Sequence, residues 1–183
     1  MDSYKISSII IASAIFLIIG VVGCVTTILQ SATGKAYSFH KFQTWLWTLV
    51  ICPCFALYWG AIPNHVPTIN LTALILLGIS GVTLLTGEII SQVQMKSAKA
   101  VGLTSKSELD SRGFFIDLLL DDDGNLSIAR LQQLVFTLVY SVIYVCTFFG
   151  TLKYPEYPVF DTTAFVLMGI STGTYLVGKG MRK

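Results

Sequence analysis

The sequence has few charged residues. Asp, Glu, Lys and Arg make up 12% of the 183 residues, whereas a soluble domain has roughly 25%. Hydrophobic residues make up 54% of the chain, and its mean hydropathy is +0.72. This composition excludes an ordinary soluble globular protein and predicts an integral membrane protein.

The sequence patterns of common catalytic and metal sites are also missing. His40 and His65 are predicted to lie on opposite sides of the membrane, and there is no Gly-x-Ser-x-Gly, phosphate-loop or paired Cys/His motif. The potassium-filter sequence Thr-Val-Gly-Tyr-Gly is absent as well. We therefore expect no enzyme activity, no cofactor and no metal ion. Any pore would be lined by helix side chains.

The long apolar runs predict an all-α, polytopic membrane protein. A helix needs about 20 mostly apolar residues to cross the hydrocarbon core, and five stretches satisfy this: Ile6–Leu29, Phe42–Ile62, Leu71–Val93, Leu131–Gly150 and Thr162–Val177. Ten of the 12 Lys and Arg residues lie on one side of these spans, and only Lys5 and Lys153 lie on the other. Because basic loops are retained in the cytoplasm, the N-terminus is predicted outside and the C-terminus inside.

An internal sequence repeat organises the chain. Ser38, Lys41, Gln43 and Trp47–Val50 return as Ser127, Arg130, Gln132 and Phe136–Val139, and Leu77–Ser80 returns as Met168–Ser171. The two blocks are 40 residues apart in the first copy (Ser38 to Gly78) and 42 in the second (Ser127 to Gly169). The repeating unit is therefore predicted to be a helical hairpin. Both hairpins would begin and end in the cytoplasm, as parallel repeats.

This repeat divides the chain into four parts. Residues 1–37 form an N-terminal transmembrane helix and a cytoplasmic turn, residues 38–93 the first repeat, residues 94–126 a cytoplasmic connection, and residues 127–183 the second repeat and a tail. The connection is too short to bury a core of its own. Its Phe114–Leu120 segment predicts a short helix with an apolar face that lies at the interface or packs under the bundle.

Two predicted helix starts have the same polar pattern. Ser38 and Ser127 each precede an apolar run, where a hydroxyl can cap free backbone N–H groups. Lys41 and Arg130 follow in the first turn, although a helix N-terminus favours anions over cations. One interpretation is that the helix starts and the cations bind a phosphate-bearing ligand together. The other is that the cations reach lipid headgroups.

Other polar residues lie near the cytoplasmic ends of the predicted spans. Gln43 and Gln132 lie deeper than the cations, where an unpaired amide is costly, so we expect each to hydrogen-bond to a neighbouring helix. Glu88 and Lys179 occupy matching positions with opposite charge. Either they form an ion pair that is part of a gate, or each reaches water independently.

Small residues mark the predicted return helix of each repeat. They are Gly78, Ser80, Gly81 and Thr83 in the first repeat and Gly169, Ser171, Gly173 and Thr174 in the second. At 100° per residue they fall on two opposite sides of each helix. Small residues allow close helix packing in lipid, so these positions serve packing or line a pore. Five spans give few ways to cover both sides of both helices, which favours a homo-oligomer.

The repeated blocks, the Pro-containing outer turns and the segment Gly113–Leu119 resemble a widespread group of small bacterial membrane proteins. The resemblance covers about Ser38 to Lys179, and the group is similar to the transmembrane effectors of Hailong-type antiphage systems. It implies a tetrameric, channel-like effector in the bacterial inner membrane, held shut by oligodeoxyadenylate that a partner nucleotidyltransferase makes. Phosphate contacts implied by the resemblance are Lys41 and Arg130 together with Lys35 and Arg112.

Two function classes remain open at this point. The first is a ligand-controlled pore or a membrane-disrupting effector. The second is a non-conducting membrane subunit that anchors a soluble partner through the cytoplasmic connection. Ion flux distinguishes them, because only the first class makes vesicles leak.

Overall fold

The computed structural model describes residues 3–30, 36–62, 67–77, 111–120, 125–150 and 157–169. Within these ranges the regular structure is helical, and the β-structure consists of two isolated bridges. The helices are α1 (Ser3–Val25), a 3-10 helix (Thr27–Leu29), α2 (Phe39–Ala61), α3 (described over 71–77), α4 (Phe114–Leu119), α5 (Ile128–Gly150) and α6 (Thr162–Leu167). The predicted all-α class is confirmed.

Three helices, α1, α2 and α5, are long and apolar enough to cross a membrane. Each has 23 residues, which gives roughly 35 Å of helix against a hydrocarbon core of about 30 Å. They coincide with three of the five predicted spans. Helices α2 and α5 begin earlier than predicted, because a helix begins beside its cap residue and its first turn can be polar. The other two predicted spans are described only at their starts, as α3 and α6.

Helix α1 packs along α2 through two close contacts. The Trp45 indole N–H donates to the Ile19 carbonyl at 2.9 Å. A Cβ atom on Gly23 would overlap that indole, and a Cβ atom on Gly60 would overlap the Ser8 side chain. Glycine at these two positions therefore lets the helices approach each other closely along their length.

The main core lies between α2, α3, α5 and α6. Its most buried side chains are Trp47, Ile51, Leu76, Tyr144, Phe148 and Met168. The Trp47 and Tyr144 rings meet edge to face with their centroids 6.1 Å apart. Residues from both sequence repeats thus share one core.

The starts of α3 and α6 are hydrogen-bonded to each other. Asn70 caps α3 by accepting from the Ala73 N–H at 2.8 Å, and its amide donates to the Pro158 carbonyl at 2.9 Å. The Phe160 N–H donates to the Thr72 hydroxyl at 3.1 Å. Asp161 caps α6 by accepting from the Thr162 N–H at 2.7 Å.

A similar backbone arrangement precedes α2 and α5. A bridge joins Gln30 to Tyr37 before α2, and another joins Leu120 to Leu126 before α5. The Ser38 N–H donates to the Leu29 carbonyl, and the Ser127 N–H donates to the Leu119 carbonyl, both at 2.9 Å. Each serine therefore follows an antiparallel backbone bridge. The structural similarity of the two repeats thus begins before the repeated sequence blocks.

Candidate functional site at the starts of α2 and α5

The starts of α2 and α5 lie on the same side of the molecule. Helix α4 packs against both, and Leu118 of α4 forms one buried cluster with Phe39 and Phe42 of α2 and Leu134 of α5. Phe114 extends this cluster by meeting Phe42 edge to face at 5.6 Å. The predicted short helix of the connection therefore packs under the bundle, against the two helix starts.

The two serines lie at the predicted helix starts, but the predicted capping by Ser38 is wrong. Ser38 is the N-cap residue of α2, and its side chain makes no capping hydrogen bond. Its carbonyl accepts from the Phe42 N–H at 3.0 Å, and the Ser127 carbonyl accepts from the Leu131 N–H at 3.1 Å. Ser38 is held at the helix start through its backbone, whose N–H donates to the Leu29 carbonyl.

The predicted phosphate-binding cations fall into two groups. Lys41 and Arg130 are half-buried in the first turns of α2 and α5. Arg112 lies just before α4, where its side chain is exposed and its backbone N–H donates to Asp117 Oδ1 at 3.0 Å. Lys35 lies outside the described residues. The structure thus places three of the four cations on elements that meet at the α4 cluster.

Asp117 is a buried carboxylate whose role sequence reasoning missed. It is fully buried in α4 and accepts from the Tyr37 N–H at 3.1 Å, the Ser111 hydroxyl at 2.6 Å and the Arg112 N–H at 3.0 Å. Hydrogen bonds to an ionised acceptor are the stronger kind. Asp117 therefore ties the connection to the residue before Ser38. An acidic residue inside the apolar run Phe114–Leu120 was the signal that could have revealed it.

Gly113 makes this carboxylate site possible. Its φ is 118°, a backbone conformation that residues with a Cβ rarely adopt. The turn brings Ser111 and Arg112 back over α4, where both donate to Asp117. A glycine is therefore required at this position for the connection to reach the carboxylate.

Gln43 makes the buried interhelical contact that its position predicts. Its amide donates to the Thr137 hydroxyl of α5 at 3.1 Å and to the Met168 carbonyl after α6 at 3.0 Å. The prediction of a hydrogen bond to a neighbouring helix is confirmed for Gln43. The equivalent prediction for Gln132 stays a prediction, because Gln132 is exposed and no residue in the described part of the chain accepts from its amide.

The predicted fifth span is not one continuous helix. Helix α6 ends at Leu167, and Gly169 follows with a φ of 74°. The uninterrupted helix predicted over Thr162–Val177 is therefore wrong at Gly169, and residues 170–177 lie outside the described part of the chain. Hydropathy cannot reveal such a break, because glycine is compatible with an apolar run. Because the helix ends here, the Met168 carbonyl has no partner within α6, and it accepts a hydrogen bond from the Gln43 amide.

Many predicted site residues lie outside the described part of the chain. They are Lys35, Gly78, Ser80, Gly81, Thr83, Glu88, Ser171, Gly173, Thr174 and Lys179. The predicted Glu88–Lys179 pair and the two-sided packing of the return helices are among the interpretations that concern them, and these stay predictions. Gly169 is described, and a Cβ atom there would lie 2.5 Å from the Gln133 side chain.

Comparisons with known proteins return no match. No protein-family model matches the chain, and the searches of curated proteins and of solved structures found no match either.

Proposed function

We propose that the chain is an oligomeric transmembrane effector of bacterial antiphage defence, forming an ion-conducting or membrane-disrupting pore under the control of a cytoplasmic phosphate-bearing ligand. In this proposal it lies in the bacterial inner membrane with five spans, arranged as an N-terminal helix and two parallel hairpins. Its N-terminus is outside and its C-terminus is cytoplasmic. The defence role, the tetramer and the oligodeoxyadenylate ligand come from the resemblance described above.

The observation that carries the pore is the end of α6 at Leu167, where Gly169 follows with a positive φ inside a predicted span. Non-helical backbone at membrane depth is tolerated where it is buried in protein or lines a water-filled cavity, and broken helices recur at the ion and substrate sites of transporters. Here the freed Met168 carbonyl accepts from Gln43, close to the start of α2. A simple membrane anchor has no need for such a break.

The observations that support an anionic ligand concern the starts of α2 and α5, close to Gln43. Lys41 and Arg130 lie in the first turns of two helices that begin on one side of the molecule. Each helix N-terminus adds a partial positive charge, which favours an anion. Because Gln43 lies half a turn beyond Lys41, a ligand at the helix starts would act close to the break.

Dye release from liposomes tests this function. Protein freed of co-purified nucleotide is expected to make dye-loaded liposomes leak, and added short oligodeoxyadenylate is expected to change the leak rate, with a decrease implied by the resemblance. Lys41→Gln combined with Arg130→Gln should raise the oligodeoxyadenylate concentration needed by about 10- to 100-fold, since each removes a charge-assisted bond to phosphate. Lys5→Gln is the matched control and should leave this concentration unchanged.

The same experiment separates a free ligand from lipid headgroups. If Lys41 and Arg130 bind only headgroups, the double variant will alter the dependence of leakage on phosphatidylglycerol content and will leave the oligodeoxyadenylate response unchanged. If the vesicles stay tight after the nucleotide has been removed, the pore is contradicted.

A second candidate function is a non-conducting subunit that anchors a soluble partner through residues 94–126. The outer face of α4 favours it, because Phe115 is 73% exposed and Ile116 46% exposed while Asp117 and Leu118 are buried. A fixed helix with an apolar outer face suits protein docking. Tight vesicles together with partner capture that Phe115→Asp abolishes would support this alternative.

A further inference from the structure

The hydrogen bonds of Gln43 occur once in the described chain, although the sequence repeat contains the residues for an equivalent second set. Gln43 of the first repeat donates to Thr137 and to the Met168 carbonyl of the second repeat. The equivalent positions in the opposite repeats are Gln132 for the donor and Thr48 and the Leu77 carbonyl for the acceptors. Within the described chain Gln132 is exposed, and the half-buried Thr48 hydroxyl donates to the Thr44 carbonyl of its own helix at 2.8 Å.

The whole glutamine face differs between the two helices. On α2, Phe39, Gln43 and Cys54 are 2%, 7% and 3% exposed. Their counterparts on α5 are Ile128 at 76%, Ile143 at 43% and the exposed Gln132. At 100° per residue these three lie on one side of the helix. Helix α5 thus presents an open face that matches the face which α2 buries against protein.

The complementary face is open on α2. Helix α5 buries Thr137, Ser141, Tyr144 and Phe148, and these residues correspond to Thr48, Cys52, Phe55 and Trp59 on α2. None of the four α2 residues is buried. Helix α1 covers the adjacent side of α2, at Trp45 and Gly60, and its Tyr4 meets Trp59 edge to face at 6.4 Å. Thr48 and Cys52 remain only half-buried.

We propose that the subunits join head to tail, with the open face of α5 in one subunit packed on the Thr48 face of α2 in the next. Gln132 then donates to the Thr48 hydroxyl and to the Leu77 carbonyl of that neighbour. The occupant is a second copy of this chain, because the chain already contains the same pairing between its own repeats. Lipid in its place would leave the Gln132 amide unpaired at a depth where Gln43 is bonded. This inference rests on the proposed oligomeric function and specifies its subunit contact.

A head-to-tail contact of this kind closes into a ring when the rotation between subunits permits. The ring axis would lie along the membrane normal, since the paired helices start on the same side. One position departs from the repeat, because Asp161 stands where the first repeat has Asn70. A carboxylate cannot donate to backbone carbonyls as Asn70 does. The subunit contact should therefore differ from the internal one at the turn between the helices.

Thiol cross-linking in native membranes tests the proposed interface. In a background with Cys24, Cys52, Cys54 and Cys146 replaced by alanine, Gln132→Cys and Thr48→Cys are combined in one chain. A short bifunctional thiol reagent is expected to give a ladder of covalent oligomers. Each single variant should give none. Gln43→Cys with Thr137→Cys is the matched control, and it should cross-link within one subunit.

Three outcomes would contradict the interface. Dimers from Gln132→Cys alone would mean that the α5 faces pack on each other. Native mass spectrometry showing an oligomer, with no ladder from the double variant, would overturn this interface and leave the proposed function standing. Monomers that also leave liposomes tight would overturn the proposed function together with the interface.

A second measurement keeps the natural cysteines. A benzophenone side chain placed at Val139, on the same open face of α5, should form an adduct of two-subunit mass on irradiation in membranes. Peptide mass spectrometry should locate the adduct between Thr48 and Trp59. Adducts only with lipid, or with α5 of the second subunit, would refute the proposed packing.

Discussion

Helices α2 and α5 begin with the same pattern of serine, cation and glutamine, yet they bury different faces. In α2 the glutamine face packs on the second repeat, so Gln43 is bonded and buried. In α5 the threonine face is buried and Gln132 is exposed. The first repeat has another repeat beside its glutamine face, and the second repeat has none within the described chain. A repeated sequence therefore specifies similar helices, while the position of each helix in the chain decides its neighbours.

The largest expected effect concerns how the two helix starts are held. Asp117→Ala removes the acceptor for Tyr37, Ser111 and Arg112, and we expect it to lower the free energy of unfolding by about 3 kcal/mol. Among the described residues, the start of α5 has no such carboxylate. Denaturant unfolding in mixed micelles measures the loss. Asp161→Ala is the matched control, and it should cost only about 1 kcal/mol as the loss of an exposed helix cap. Equal losses would contradict a special role for Asp117.

The next effect compares the two glutamines directly. Gln43→Ala leaves the Thr137 hydroxyl and the Met168 carbonyl without their described donor, which should cost about 2 kcal/mol of unfolding free energy. Gln132→Ala should change the unfolding of separated subunits by no more than about 0.5 kcal/mol. It should instead reduce the oligomer fraction seen by native mass spectrometry. Similar unfolding losses at both positions would show that α2 and α5 have equivalent surroundings.

The smallest effect compares two glycines. Gly169 has a φ of 74° and contacts Gln133, whereas Gly20 lies in α1 with open space around it. Gly169→Ala should cost about 1–2 kcal/mol, because alanine is strained at positive φ. Gly20→Ala should be neutral or should stabilise by up to about 1 kcal/mol, since alanine is the better helix former. Thermal unfolding of the two variants side by side tests this. A harmless Gly169→Ala would argue for a continuous helix there.

The sequence predicts the helices much better than it predicts how they end. Apolar runs locate α1, α2 and α5, because crossing a bilayer requires length and hydropathy that are visible in any sequence. The break at Gly169 depends on one residue with positive φ, and nothing in an apolar run marks it. The bonds that hold Ser38 and Ser127 before their helices are made by backbone groups, which every sequence supplies. The sequence therefore does not reveal them, and the predicted capping by the Ser38 side chain was wrong.

At the candidate site, too, some features were predictable from the sequence and others were not. Gln43 was predictable, because an amide at that depth requires a partner. Its partner at Met168 was not predictable, since that carbonyl becomes available only where α6 ends. Asp117 stands out as an acidic residue in an apolar run, but its partners were not predictable, because its bond to Tyr37 joins residues that are 80 positions apart in the chain. Pairings of such separation depend on the folded arrangement of α2 and α4.

The Asp117 cluster also has a consequence for which substitutions the protein tolerates. Two of the three donors described for Asp117 are backbone N–H groups, at Tyr37 and Arg112. Every amino acid except proline supplies this group. Side-chain changes at positions 37 and 112 therefore leave these bonds in place, although the Tyr37 ring also packs on Phe114 at 5.1 Å. Position 117 accepts little besides aspartate. Saturation mutagenesis scored by protein stability should show a narrow profile at 117, a preference for aromatic residues at 37 and a broad profile at 112, with proline excluded at 37 and 112.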